Sequence, residues 1–319
     1  MSQEDEPRPG DPEIMRHCQT VRDAAREGEI VFLLGAGVNL CGRPEGLTWT
    51  PDGRYLPSGA ELARHLAERF RLPPSEPVDL ARVTQWVIAD RGEAKLWKEL
   101  HHLFDVECGL TPIHRFLAGL PAALRAEGSE WPQQFIVTTN YDDVLERAFR
   151  EVGEPFDVYV YLAQGDDRGK VLLVPHEGTP EIVRTPNMAT AAGRDRTAIL
   201  KIHGAIDRRD AEQDSWVITE EDYIDYLTRT DIATWMPVGL HTLLKVRNLE
   251  FLGYSLRDWN LRAILHRLRQ DRRGSWKWWA VQLESALVDR DVWTKHDLSI
   301  IDARLEDYVV ALEAAGAAR

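Results

Sequence analysis

Four apolar runs in this chain break off into glycine, asparagine, histidine or serine, with helical stretches between them, and no other feature constrains the fold as much. A run that is apolar at every position suits a strand buried on both faces, and such strands alternating with helices build a parallel sheet covered on each side. The first run, Glu29–Leu34, leads into Gly35-Ala36-Gly37. "FIVTT" at 135–139 leads into Asn140-Tyr141-Asp142, "AILKI" at 198–202 leads into His203-Gly204, and "LEFLGYS" at 249–255 ends in Gly253-Tyr254-Ser255. "WKWWAVQ" at 276–282 and "LSIID" at 298–302 read as final strands, with a closing helix at 304–316. The expected fold is α/β, a Rossmann-like, doubly wound and mostly parallel sheet.

Helix signals fill the gaps. Asp11 and Pro12 supply a cap and a first turn for an opening helix that Gly28 closes, and Ser58 with Glu61 forms a capping-box pattern. Residues 58–130 look helical throughout apart from breaks at "PPSEP" (73–77) and near Gly109, and so form a helical module inserted within one domain spanning 1–319. Residues 160–196 and 207–247 show weaker periodicity and are placed only loosely. No internal repeat is visible.

Composition excludes several classes of function. No segment approaches a membrane-spanning apolar run, and the N-terminal "MSQEDEPRPGDPE" lacks the apolar core of a secretion signal, so a soluble, cytoplasmic protein is expected. Cys18, Cys41 and Cys108 lie far apart, which leaves neither a disulfide framework nor a four-cysteine zinc site, and no metal is expected. Lys and Arg number 39 against 52 Asp and Glu, and the net charge of −13 disfavours nucleic acid as a partner. The basic stretch "LRAILHRLRQDRR" (261–273) reads as a solvated helix face or a subunit contact.

In a doubly wound sheet, ligands bind in the crevice outside the carboxyl ends of the strands, so the four strand ends are expected to share one site. Gly35 and Gly37 lack a Cβ, which lets the backbone turn sharply and bring its N–H groups against a phosphate; a tight turn with no ligand is the plainer alternative. The dehydrogenase pattern GxGxxG is incomplete because Leu40 stands at its last glycine, and no acidic residue clearly ends a second strand about 20 residues on. Asn140 and Asp142 both suit a helix cap. One suffices, which leaves the other for a ligand. His203 is delivered to the crevice by a buried strand, with Gly204 behind it leaving room for a ligand, unlike His101 and His102 on an expected exposed helix. Ser255 offers a hydroxyl, or only a strand-to-helix turn.

In this order the four pieces resemble the sirtuin-like family across almost the whole chain. "GAGVN" is similar to its glycine-rich NAD loop, with Asn39 where serine is common; "TTNYD" to its Thr-Gln-Asn-Ile-Asp motif; "IHG" to its catalytic His-Gly; "GYS" to its Gly-Thr-Ser nucleotide contact. The resemblance implies that Gly35, Ala36, Gly37 and Asn39 approach the pyrophosphate side. Thr139, Asn140 and Asp142 would meet the nicotinamide end, His203 would be the general base, and Gly253 and Ser255 would contact the adenosine side. The zinc module and the Asp-Phe-Arg of protein-deacylating sirtuins are absent from this sequence. The helical stretch after the loop, with "TTNYDDVLE" and "FLGYSLRD", is similar instead to bacterial anti-phage effectors that hydrolyse NAD.

What this implies is an NAD hydrolase with NAD as substrate, releasing nicotinamide and ADP-ribose. Breaking the glycosidic bond passes through an oxocarbenium-like transition state, and a cationic nicotinamide leaves with little acid assistance. The protein must supply orientation, an aligned water and a base, which suits histidine with its ordinary pKa. Two other classes stay open: a protein deacylase or ADP-ribosyl transferase using the same NAD, and a nucleotide sensor without turnover. Such a hydrolase needs restraint, so a homo-oligomer or a separate regulatory protein, Argonaute-like or an ATPase, is expected as partner.

Overall fold

The computed structural model describes residues 11–183, 196–229, 235–255, 276–283 and 287–317. Its strands are β1 (Ile30–Leu34), β2 (Phe135–Thr138), β3 (Phe156–Tyr161), β4 (Val171–Val174), β5 (Glu181–Val183), β6 (Thr197–Lys201), β7 (Asn248–Leu252), β8 (Trp278–Val281) and β9 (Leu298–Ile301). They form one sheet in the order β5-β4-β3-β6-β2-β1-β7-β8-β9. Every pairing from β3 across to β9 is parallel, and only the β4 and β5 edge is antiparallel. The chain builds outward from β1 through β2 and β6 on one side, then returns to β7 on the other, so the winding reverses at β1. This is the α/β, doubly wound, mostly parallel arrangement that the strand pattern predicts.

The helices are α1 (Pro12–Arg26), α2 (Gly59–Phe70), α3 (Leu80–Arg91), α4 (Glu93–Phe104), α5 (Pro112–Ala126), α6 (Val144–Val152), α7 (Glu220–Arg229), α8 (Val238–Lys245), α9 (Leu287–Thr294) and α10 (Leu305–Ala317). All five residues of β1 are buried because the pleat sends them alternately to two cores. Phe32 and Leu34 pack with α1, α5, α6 and α10, while Val31 and Leu33 join Leu240 of α8 and Trp293 of α9 on the other face. Burying a side chain of that size contributes about 1.5 to 3 kcal/mol, so the two apolar faces of the sheet hold the layers together.

Local signals act as their chemistry directs. The Asp11 side chain accepts the Glu13 N–H at the start of α1, and Gly28 turns the chain beyond its end with a φ of 68°. Ser58 and Glu61 close their capping box from both sides. The stretch 58–130 contains four helices. α2, α3 and α4 pack around their own core, including Leu66, Val83 and Leu100, which Tyr141 and Trp216 join. α5 instead sends Ile113, Leu117 and Leu120 into the core beneath the sheet. The basic stretch at 261–273 and the helix expected near Asp258 lie outside the described residues.

Candidate functional site

A cavity of about 740 Å³ opens at the carboxyl ends of the strands, where the winding reverses. Every candidate residue named from the sequence lines it except Gly35, which lies behind the wall. Six strand ends contribute rather than four: β6, β2, β1 and β7, then β8 and β9, which add Gln282 and the segment Ala303–Glu306.

The loop after β1 forms a short 3-10 helix, Ala36–Leu40. A Cβ on Gly37 would lie 2.7 Å from the Gly253 carbonyl oxygen and 2.8 Å from its Cα. Glycine is therefore required at this position by the close approach of the neighbouring loop. Gly35 N–H donates to Leu252, Gly37 N–H to Gly253 and Val38 N–H to Gly35, at 2.9, 2.9 and 3.1 Å, so these three are committed within the protein.

His203 follows β6 and is 6% exposed. Its Nε2 is buried and meets no hydrogen-bond partner among the described residues, and the rings of Tyr223 and Tyr226 approach it edge-on at 5.5 and 5.8 Å. Burial pulls the imidazole down to about 3, so the ring is neutral at physiological pH rather than poised near its ordinary value. Gly204 has a φ of 90°, and a Cβ there would come within 2.1 Å of the Ser215 carbonyl oxygen. The room behind the histidine belongs to Ser215, not to a ligand.

Asn140 and Asp142 divide their work. Asp142 accepts the Val144 N–H at the start of α6 through Oδ1, at 3.1 Å, and the Asn39 side-chain amide through Oδ2, at 2.7 Å. Asn140 has no part in starting the helix; its Nδ2 donates to the Gly35 carbonyl at 3.2 Å, which fixes the amide at the cavity wall. Beneath them the buried Lys201 donates to the Asp142 carbonyl and, at 2.7 Å, to Glu146 Oε1. That ammonium ties the end of β6 to the loop after β2. Cys18, Cys41 and Cys108 are buried and unbridged, and burial pushes the Cys18 and Cys41 thiols up to about 12. His102 is exposed as expected, but His101 is not. Its Nδ1 pairs with Asp214 Oδ2 at 2.8 Å, because a loop from a distant part of the sequence covers that face of α4.

The SIR2-like domain model matches residues 134–301, more than half of the chain. The chain belongs to the SIR2-like family. Over 302 residues, 92% of its length, it is 22% identical to defense-associated sirtuin 2 of Bacillus subtilis, of which it covers 25%. It is 26% identical to the NAD(+) hydrolase ThsA of Cytobacillus dafuensis over 65% of this chain and 34% of that protein. Against the ThsA of Acinetobacter baumannii it is 28% identical, over 66% of this chain and 35% of the relative. The chain thus spans between a quarter and about a third of the length of these relatives. Among the described residues no helix is long and apolar enough to cross a membrane.

Tyr223, Gln282, Arg304 and Glu306 line this SIR2-like cavity without having been singled out in the sequence. Gln282 and the Arg304–Glu306 segment follow β8 and β9, and the strand-end rule that found His203 would have found them too. Tyr223 sits on α7, where no sequence pattern marks it as facing a cavity.

Proposed function

We propose that this SIR2-like domain hydrolyses NAD at the nicotinamide glycosidic bond, giving nicotinamide and ADP-ribose, and serves as an NAD-depleting effector in anti-phage defence. The observation that carries the reading is His203: a neutral imidazole with an unpartnered, buried Nε2, set in the wall of a cavity that Asn140 and Asp142 also line. A buried polar atom without a partner is costly, and because His203 belongs to the cavity lining, a bound ligand could supply that partner. The relatives support both halves of the proposal, two being named NAD(+) hydrolases and one a defense-associated sirtuin.

In this mechanism the cavity orients NAD with its nicotinamide ribose between Asn140 and His203. Asn140, held by Gly35, positions the attacking water or the nicotinamide carboxamide. His203, kept unprotonated by burial and a weaker base than a free histidine, accepts the proton released as water, or a ribose hydroxyl, attacks the oxocarbenium-like centre. Asp142 acts mainly by fixing Asn39 and the start of α6, so its contribution is to hold the nicotinamide end of the cavity in shape. Control by self-assembly or by a separate regulatory protein, Argonaute-like or an ATPase, completes the proposal, since an unrestrained hydrolase would exhaust its host's NAD. Nicotinamide release by the purified chain tests the reading. A folded protein that binds NAD and releases none, alone or assembled, would leave a nucleotide sensor in its place.

A further inference from the structure

Two hydrogen-bond acceptors stand at the end of the cavity away from His203. Glu306, in the first turn of α10, reaches back over 264 positions in sequence, and its Oε1 accepts the Gly42 N–H at 2.8 Å. That bond sets a carboxylate just beyond the 3-10 helix of the β1 loop, in the cavity wall. Gln282, immediately after β8, lines the same cavity, and its Oε1 is buried with no donor among the described residues. β6 and β9 are five strand spacings apart in the sheet, roughly 20 to 25 Å at about 4.8 Å per strand. A ligand touching both ends is long and thin.

This inference rests on the NAD reading above: with the glycosidic bond at His203 and Asn140, the adenosine half must run over β1 and β7 toward β8 and β9. The geometry points to Glu306 as the residue that selects a free 2′-hydroxyl on the adenosine ribose, with Gln282 Oε1 as a second acceptor, so that NAD is taken and NADP refused. A ribose hydroxyl donates to a carboxylate, whereas a 2′-phosphate brings about two negative charges against it. Doubly wound dinucleotide-binding proteins meet the ribose with an acidic residue about 20 positions past the glycine loop. This chain has none clearly placed there, and Glu306 brings the same chemistry from the far end of the fold. Arg304 lines the cavity too, but its guanidinium is paired at 3.4 Å with Glu45.

The test is calorimetric binding of ADP-ribose and of 2′-phospho-ADP-ribose to the full chain and to Glu306→Gln, which keeps an acceptor for Gly42. The wild-type protein should bind ADP-ribose about tenfold more tightly than its 2′-phosphorylated form, the order expected for like charges a few ångströms apart at a partly screened site. In the variant that ratio should shrink to about twofold, with the melting temperature unchanged. Equal wild-type affinities would overturn the inference without any variant, and so would a preference for the phosphorylated ligand, which would assign a phosphate to Arg304. An unchanged ratio in folded Glu306→Gln would overturn it as well. Failure of the wild-type chain to bind either ligand would instead sink the NAD reading, and this inference with it.

Discussion

Replacing His203 with glutamine should flatten the protein's loss of stability in mild acid. In the folded chain burial holds the imidazole down at about 3, while an unfolded histidine titrates near 6.5. Between those two values the unfolded state carries one proton more than the folded state. The contribution of this group is therefore complete above pH 6.5 and is lost as pH falls toward 3. One proton is worth about a tenfold change in the folding equilibrium per pH unit, on the order of 1 kcal/mol. His114, whose burial lowers it to about 4, and the carboxylates add acid sensitivity of their own, but both proteins share them and they cancel in the difference. Urea unfolding of wild type and His203→Gln at about pH 6 and about pH 5 should show the wild type losing roughly tenfold more in its folding constant than the variant. Parallel pH profiles for the two proteins would refute the claim that His203 is buried as the neutral ring.

Other outcomes follow from the same contacts. His203→Ala and Asn140→Ala should each lower nicotinamide release by about 10²- to 10⁴-fold while ADP-ribose still binds, with the exposed His102→Ala as the control that leaves the rate unchanged. Because the His203 imidazole is already neutral, kcat/KM should stay flat from about pH 8 down to about pH 6; an acid limb near the ordinary histidine value would show that the ring titrates there after all. Gly37→Ala should cost about 1 to 3 kcal/mol in denaturant titration, because its Cβ meets the Gly253 carbonyl at 2.7 Å; unchanged stability would mean that the two loops separate freely. Lys201→Met strands Glu146 as a buried charge and should cost about 3 to 5 kcal/mol, read by the same titration.

The central strands β1, β2, β6 and β7 were legible because both faces of each are buried, so their sequences are mostly apolar, with buried exceptions such as Lys201 and Glu250, and stop sharply where the sheet stops. β4 and β5 left no such mark. They are edge strands of only four and three residues, mostly half-exposed, too short for their apolar residues to stand out as a buried run. Side chains at strand ends were found by position alone, which is why His203, Asn140 and Asp142 lie together at one cavity. The glycines were harder to read because a missing Cβ announces a close approach without saying by what: Gly253 at Gly37, Ser215 at Gly204. His101 misled for a related reason. Helical spacing does not record that Asp214 arrives from 113 residues away.

The placement of β1 in the middle of the sheet also sets a timetable for synthesis. The chain makes the helical module, the asparagine and the histidine early, but β7, which closes the other side of β1, begins only at Asn248, and Glu306 comes later still. A growing chain that has emerged only as far as His203 has an open sheet edge where the far wall of the cavity will stand. Pairings between such distant segments form slowly and only once both partners are free of the ribosome. The cavity is therefore complete only once the chain has been made as far as Glu306, and a product that stopped before β7 would carry the histidine without the far wall of the cavity.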